Sequence, residues 1–425
     1  MTRRQLDPAP RRYTSGVMLR RRGEARPDDV ARLGKPDLET WLLNEAADED
    51  DLLALFQAFA WRMVAAGLPV QRVGLSIGTL HPQLVGYSWN WNSADGFCDE
   101  LEVDESVLAS DAYRLNPIFQ VIDRGEPFRA RTDIGDGANQ SPLLKELAEQ
   151  GIVEYAALPM PAGSNVHNAV TIATKQPGGF TDAEFTAINH YLRLLALHVQ
   201  KHIALRISEN IVTTYLGSAA GRQVLHGSIK HGSGQPIDAI IWASDMRGFT
   251  DLAARLTERD MIAVLDAYFD RLAGSVMAEG GEVLKFIGDG LLAVFPFSRF
   301  VSEGDAASAA VSAAQDALSV LEQLNEDESQ LSDVDGWRPL KTGIALHRGE
   351  VFFGNVGAPE RLDFTVIGRA VNAVSRVEGL CKSLDRPILI TQRVADLIDL
   401  PLDDLGAHAL RGFAEPLAIY APQAR

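Results

Sequence analysis

Two aspartates stand where apolar runs end. Asp245 follows Ala239-Ile240-Ile241-Trp242-Ala243-Ser244, and Asp289 lies in Gly288-Asp289-Gly290 between the runs 282–287 and 291–295. Glycine accepts the positive φ of a tight turn, so the second stretch reads as a β-hairpin with a carboxylate at its tip. The flanking runs are apolar enough to be buried strands. Two acids at the ends of buried strands suit a divalent metal bound to phosphate. The plainer reading is a turn acid and a helix cap. A second pair, Asn372 and Arg376, has i, i+4 spacing and shares one helix face. On spacing alone it reads as a solvated surface.

The elements that must position these groups belong to a chain of 425 residues, too long for one ordinary core. The net charge of -17 argues against a general nucleic-acid binder. Cys98 and Cys381 are the only cysteines, so no disulfide framework is implied and a reducing cytoplasm fits. No apolar run approaches the roughly 20 residues needed to cross a bilayer. Residues 1–36 are rich in arginine, including Arg20-Arg21-Arg22, with no apolar segment of a secretory signal after them. A disordered basic tail is the expectation for 1–36.

Globular patterning begins near Asp37. Leu52, Phe56, Phe59, Ala60 and Met63 form a helical stripe, and strands are expected at 70–78 and 84–91. Residues 99–111 are acidic and read as a surface connection, and 135–141 as a loop. A helix is expected at 142–150, then strands at 154–161 and 168–174 about a turn at 162–165. Thr181 and Glu184 have capping-box spacing, with Phe180 and Phe185 as the staple, before a long helical stripe. This order, with the phrase Gly178-Gly179-Phe180-Thr181-Asp182-Ala183-Glu184-Phe185, resembles a GAF-type sensor domain over 37–206. The resemblance implies a domain that dimerises or binds a small regulator. Tyr87, Trp89, Trp91 and His81 are candidates for lining such a pocket, although strand aromatics are more often core. His198 and His202 permit a shared metal by spacing, but no third ligand is in view.

Residues 207–236 read as a linker with a signalling helix and a glycine-rich joint. Beyond it, strand 237–243, a helix opened by Thr257 and Asp260, the hairpin, a helix at 303–324, an acidic loop at 325–335 and strands at 341–346 and 350–355 follow. Strand 364–367, helix 370–384 and strand 388–391 complete the series. The fold class is α+β, with a ferredoxin-like βαββαβ core.

The phrases Asp245-Met246-Arg247-Gly248-Phe249-Thr250, Lys285-Phe286-Ile287-Gly288-Asp289, Lys341-Thr342-Gly343-Ile344, Gly349-Glu350-Val351 and Thr365-Val366-Ile367-Gly368-Arg369-Ala370-Val371-Asn372-Ala373-Val374-Ser375-Arg376 occur in this order. Together they resemble the signatures of a class III nucleotidyl cyclase over about 237–420, within a catalytic domain expected at 237–425. The resemblance implies that Asp245 and Asp289 hold two Mg²⁺ or Mn²⁺ ions per site. It implies that Asn372 positions the ribose and that Arg376 stabilises charge on the α-phosphate. Lys341, Arg411, Phe249 and Thr250 are implied on the substrate side. Lys285 and Thr365 would read the base, and a lysine donor with a hydroxyl acceptor suits adenine better than guanine. Threonine rather than aspartate at 365 points to the threonine-containing subclass.

The expectation is therefore an adenylyl cyclase, a phosphorus–oxygen lyase making cyclic AMP in signal transduction. It would act on ATP as a cytoplasmic homodimer under control of the amino-terminal domain. The alternatives are a guanylyl cyclase or an inactive nucleotide-binding regulatory module. Retention of Asp245, Asp289, Asn372 and Arg376 disfavours the last.

Overall fold

The computed structural model describes residues 11, 13–24, 37–135, 141–161, 168–327, 331, 333–358 and 360–423. The expected turn at 162–165, most of the loop at 135–141, part of the acidic loop at 325–335 and residues 1–10, 12 and 25–36 of the tail lie outside the described residues. The chain divides into two compact units, 1–211 and 212–425.

The first unit is built on a seven-stranded sheet in the order β1-β4-β3-β2-β7-β6-β5. Its strands are β1 (Val17–Glu24), β2 (Arg72–Gly78), β3 (Leu84–Asn92), β4 (Phe97–Asp104), β5 (Phe128–Arg131), β6 (Glu154–Met160) and β7 (Asn168–Thr174). One sheet face packs against α1 (Leu38–Asn44), α2 (Leu52–Ala65) and the first part of the long helix α5 (Asp182–Leu216). α3 (Ile118–Arg124) and α4 (Pro142–Glu149) join a second, smaller apolar cluster with Tyr155 and Ala157. The start of α5 has the expected capping box: Glu184 N donates to Thr181 Oγ1 at 3.2 Å, and Thr181 N donates to Glu184 Oε2 at 2.8 Å.

Two expectations are corrected here. Residues 17–24 of the supposed tail form β1, which pairs antiparallel with β4. Residues 99–104 of the supposed acidic surface connection belong to β4, where Asp99 and Glu100 are fully buried. The two errors have one cause. Arg11 and Arg22 bind Asp99, at 3.1 and 2.5 Å, while Arg20 binds Glu100 at 2.9 Å, and Arg21 and Arg206 complete the ladder. Each run, read by itself, looks like a solvated charge cluster, and each becomes buriable only against the other. Tyr87, Trp89 and Trp91 are core side chains, the more usual fate of strand aromatics, and Tyr87 and Trp91 also border a cavity of the first unit; His81 is not in its lining, and its Nδ1 accepts turn amides from Gln83 and Leu84. Of the helix histidines, His198 bonds the Leu42 carbonyl through Nε2 at 2.7 Å, and no group of three metal-ligating side chains occurs among the described residues.

The second unit carries an eight-stranded sheet, β14-β15-β13-β11-β8-β10-β9 with β12 paired to β11. The strands are β8 (Gly234–Met246), β9 (Glu282–Ile287), β10 (Gly290–Pro296), β11 (Thr342–Ala358), β12 (Arg361–Ile367), β13 (Ile388–Thr391), β14 (Leu402–His408) and β15 (Leu417–Pro422). After the short helix α6 (Ser218–Leu225), α7 (Phe249–Ala253) follows β8. The long helices α8 (Glu258–Ala278) and α9 (Glu303–Glu326) pack on the core cluster of one sheet face. α10 (Arg369–Glu378) joins the cluster on the other face. The series β8-α8-β9-β10-α9-β11, with spatial order β11-β8-β10-β9, is the expected βαββαβ arrangement. β11 is one strand rather than the two expected, because Gly349 stays in ladder register opposite Ala239. α10 stops at Glu378 rather than running to 384.

Removing Asp99 would strand buried guanidinium charge. Asp99→Ala should therefore lower the stability of the first unit by about 3 kcal/mol, measured by urea unfolding. Burial works to raise the Asp99 pKa, but Arg22, Tyr13 and Arg11 outweigh it and hold the carboxyl below its ordinary value. Its contribution should be present above the unfolded pKa and fade as pH drops through the lower folded one.

Candidate active site

The register of three strands brings the two acids together. Asp245, near the end of β8, faces Gly343 of β11, and its neighbour Ser244 faces Leu291 of β10. Asp289 sits in the two-residue turn just before β10, with Gly288 at φ 64°. A Cβ on Gly290 would lie 3.3 Å from Asp245 Oδ1, so the turn backbone comes close to that carboxylate. Burial first, and the charge of Asp289 next, push the Asp245 pKa up to about 6. A hydrogen bond between the two carboxyls adds to the shift.

This donor set fits a divalent cation. Two hard carboxylates at the end of a dry sheet repel each other, and a bound cation removes that repulsion. No third aspartate, glutamate, histidine or cysteine completes a protein cage among the described residues. Mg²⁺ is commonly held by one or two carboxylates with substrate phosphate supplying the rest. The loop carrying Asp245 is fixed from below: Tyr268 Oη and Thr342 Oγ1 are 2.7 Å apart, Thr342 Oγ1 donates to the Asp245 carbonyl at 3.1 Å, and Arg247 N donates to Lys341 O at 2.7 Å.

The remaining sequence candidates fall into separate groups. Lys285 on β9 forms an ion pair with Asp363 of β12, two residues from the half-buried Thr365 on the same strand face. The base-reading candidates are thus near one another in a single chain. Asp289 lies in the turn and a register shift interrupts the β9–β10 ladder, so strand parity does not place Asp289 and Lys285 on one face as their even spacing suggests. Asn372 and Arg376 occupy the exposed face of α10, whose other face buries Ala370, Ala373, Val374 and Val377. No hydrogen bond or ion pair joins either to the acid pair among the described residues. Lys341 is exposed and reaches the Asp245 loop through its carbonyl. Phe249 packs against the core, Thr250 is exposed, and Arg411 is exposed in the connection between β14 and β15.

Sequence reasoning missed three residues. Asp363 holds Lys285. Arg247 and Glu378 face each other with Arg247 Nη2 3.7 Å from Glu378 Oε1, two residues beyond Asp245 and Arg376 respectively. Both of these atoms are buried without a hydrogen-bond partner among the described residues. Burial pushes the Glu378 pKa up to about 7, although Arg247 works against the shift. A Cβ on Gly343 would lie 2.0 Å from Arg247 Nη2, so the glycine makes room for the pair. The i+2 offset of each from a flagged residue is the signal that was available.

The unit thus combines a βαββαβ sheet, two acids at the end of its central strands and an exposed helix face bearing Asn372 and Arg376. Residues 235–420 match the adenylate and guanylate cyclase catalytic domain family, and this stretch of the chain is such a domain. The adenylate cyclase of Anabaena cylindrica is 33% identical over 157 residues, which is 37% of this chain and 30% of that protein. Adenylate cyclase 2 of Rhizobium meliloti (strain 1021) is 27% identical over 286 residues, 65% of this chain and 72% of that protein. The second match is longer than the whole carboxy-terminal unit, 212–425, and so extends into the first. The crystal structure of adenylyl cyclase CyaB from P. aeruginosa is 28% identical and covers 45% of this chain and 97% of that one, with a TM-score of 0.41. The chain spans well under half of the Anabaena relative. No helix is long and apolar enough to cross a membrane among the described residues.

Metal binding should weaken as the medium is acidified. Below about pH 6 a cation must displace the proton on Asp245, so the Mn²⁺ half-saturation concentration should rise about tenfold per pH unit. Mn²⁺ titration followed by electron paramagnetic resonance between pH 5 and 8 measures this, and Asp245→Asn should flatten the profile.

Proposed function

We propose that the chain is an adenylyl cyclase converting ATP to 3′,5′-cyclic AMP and pyrophosphate, with its sites completed in a homodimer. The observation that carries the reading is the pair Asp245 and Asp289, forced together at the end of the central sheet, a repulsion that a divalent metal would relieve. Two divalent ions, when bound, would supply acidification of the ribose 3′-hydroxyl and neutralisation of triphosphate charge. Asp245 and Asp289 would hold them. Arg376 is a fixed positive charge for the α-phosphate as charge builds there in the transition state. Asn372, one turn earlier on the same face, orients the ribose.

ATP is favoured by the base-reading pair. Lys285 donates to the adenine N1, and the Thr365 hydroxyl accepts from the N6 amine, whereas guanine presents the opposite pattern on that edge. The Lys285–Asp363 ion pair keeps the ammonium beside Thr365 before substrate arrives. That the relatives reported above are adenylate cyclases supports the same choice.

The homodimer is supported by what the single chain leaves unpartnered. Asn372 and Arg376 are exposed, and Phe286, Ile287 and Ile367 present apolar surface beside Lys285 and Thr365, at 49%, 60% and 48% exposure. In a shared site, the acids of one protomer work with Asn372 and Arg376 of the other. Regulation by the amino-terminal unit is part of this reading. α6 begins with Ala219 N donating to Glu282 Oε1 at 2.8 Å, and Glu282 is the first residue of the hairpin that carries Lys285 and Asp289.

Purified chain with ATP or GTP and Mg²⁺ or Mn²⁺, with product identified by mass, tests the activity. Cyclic AMP should form, and Asp245→Ala or Arg376→Ala should lower its rate by at least 10²-fold. An equimolar mixture of the two variants should recover up to a quarter of the wild-type rate, since a mixed dimer keeps one intact site. No recovery despite demonstrated mixed dimers would exclude the shared site. Lys285→Ala should lower the preference for ATP over GTP without abolishing turnover.

A further inference from the structure

The first unit encloses a cavity of about 1160 Å³, at or above the upper end of sizes usual for small-molecule sites. Its floor is the sheet face turned away from the main core. On β2 Val73, Leu75 and Ile77 join that core, and Arg72, Gly74 and Ser76 line the cavity, with Val73 and Ile77 also bordering it. On β3 Trp89 and Trp91 join the core, and Ser88 and Asn90 line the cavity, with Tyr87 and Trp91 also bordering it. The alternation is the ordinary one for a sheet with one wet face. Here, however, the polar face is roofed. Ile118 and Ile122 from α3, with Leu143 and Leu147 from α4, stand on its apolar side. A polar floor beneath an apolar roof describes the two sides of an occupant.

The charges around the cavity are unevenly matched. Asp95 is bound by Arg11, and Asp123 accepts a hydrogen bond from Tyr113 Oη at 2.6 Å. Glu146 accepts from Gln150 Nε2 at 2.9 Å. Arg72, on the floor, has only a neutral partner: its Nη1 donates to Gln150 Oε1 at 3.3 Å. Burial lowers its pKa, with Glu146 opposing, and the half-buried guanidinium has no ion-pair partner among the described residues. A guanidinium has five donors in a fixed fork, and one long bond leaves most of them available to a carboxylate or phosphate. Floor hydroxyls are similarly under-used, with Ser76 Oγ and Ser88 Oγ 3.3 Å apart and Asn90 Nδ2 3.5 Å from Ser88 Oγ.

We propose that this cavity binds a small amphipathic organic anion, with its acidic group on Arg72 and its apolar body under α3 and α4. Ser76, Ser88 and Asn90 then offer hydrogen bonds to polar atoms on the face of the ligand that meets the sheet. This holds whether or not the second unit makes a cyclic nucleotide, and it is tested without an activity readout.

The probe is 8-anilinonaphthalene-1-sulfonate, an aromatic anion whose fluorescence rises in apolar surroundings, set against its uncharged counterpart N-phenyl-1-naphthylamine. Both are titrated into the full-length folded chain. The sulfonate should bind one saturable site at least tenfold more tightly than the neutral probe. Arg72→Gln should remove that advantage and leave the neutral probe's affinity within twofold. Ser76→Phe, which fills the floor while retaining Arg72, should expel both, with urea unfolding confirming that each variant is folded. Equal affinity of the two probes for the wild type would overturn the proposal, as would a sulfonate advantage that survives Arg72→Gln or sulfonate binding that survives Ser76→Phe. If Arg72→Gln does not fold, Ser76→Phe decides alone.

Discussion

The repulsion between Asp245 and Asp289 constrains the whole carboxy-terminal unit. Two like charges within hydrogen-bonding reach and partly out of water are costly to hold ionised, and the rise in the Asp245 pKa expresses that cost. The fold enforces the approach through ladders that cannot slip. β8 is hydrogen-bonded on both sides, to β10 and β11, and its residues Ile240, Ile241 and Trp242 are completely buried. A one-residue shift would turn those side chains to the wrong face. The acids are therefore a by-product of neither loop flexibility nor chance placement. Asp245 is positioned by a strand paired on both sides and Asp289 by the turn into β10, which is buried along its whole length; Gly288 supplies the positive φ of that turn, and Gly290 and Gly343 leave space for neighbouring atoms.

The amino-terminal unit solves the opposite electrostatic problem. Asp99 and Glu100 are buried but face five arginines drawn from β1, from the segment before it and from α5. Attraction across that ladder lets an edge strand made of Val17–Glu24 join the sheet despite three consecutive arginines. The strand carries its own solubility device, since an edge rich in charge resists pairing with other chains. On the far side of the same sheet, the mismatch at Arg72 is left standing. The first unit thus pairs its buried Asp99 and Glu100 internally and leaves the guanidiniums of Arg62 and Arg72 without an ion pair among the described residues, whereas the second brings two carboxylates together.

Local signals in the sequence were faithful wherever the physics is local. The capping box at Thr181 and Glu184, the helical stripes and the glycine turn at 288–290 depend on residues a few positions apart, and each is found. The acid pair was legible because strand ends and turns are local features and the hairpin joins them. What escaped depends on partners distant in the chain. The run at 99–111 and the arginines at 20–22 were each read as solvated, because nothing in either announces the other some 80 residues away. Arg247 and Glu378 went unmarked for the same reason, being 131 positions apart yet sharing the space that Gly343 leaves empty. The cavity left a trace only in retrospect. Gly74, Ser76, Ser88 and Asn90 alternate with core residues like any wet sheet face, and only the three-dimensional placement of α3 and α4 covers it.

Glu282 ties these themes to the proposed control of catalysis. It is buried at the first position of β9, and its carboxylate serves two donors, the Ala219 amide at the start of α6 and the Arg299 guanidinium at 2.7 Å. Gly217, at φ 81°, brings the chain within 3.0 Å of the next residue's carbonyl, measured from where a Cβ would stand, so the joint has no room for a larger residue. A displacement of α6 must therefore either carry Glu282 with it or break a charge-assisted bond to a buried carboxylate, a loss of roughly 1.5–3 kcal/mol. Moving with the helix is the cheaper course. It shifts the strand that holds Lys285 against Asp363 and leads directly into the turn that holds Asp289. Base selection and metal binding would then respond together to a single lever, because one short hairpin carries both.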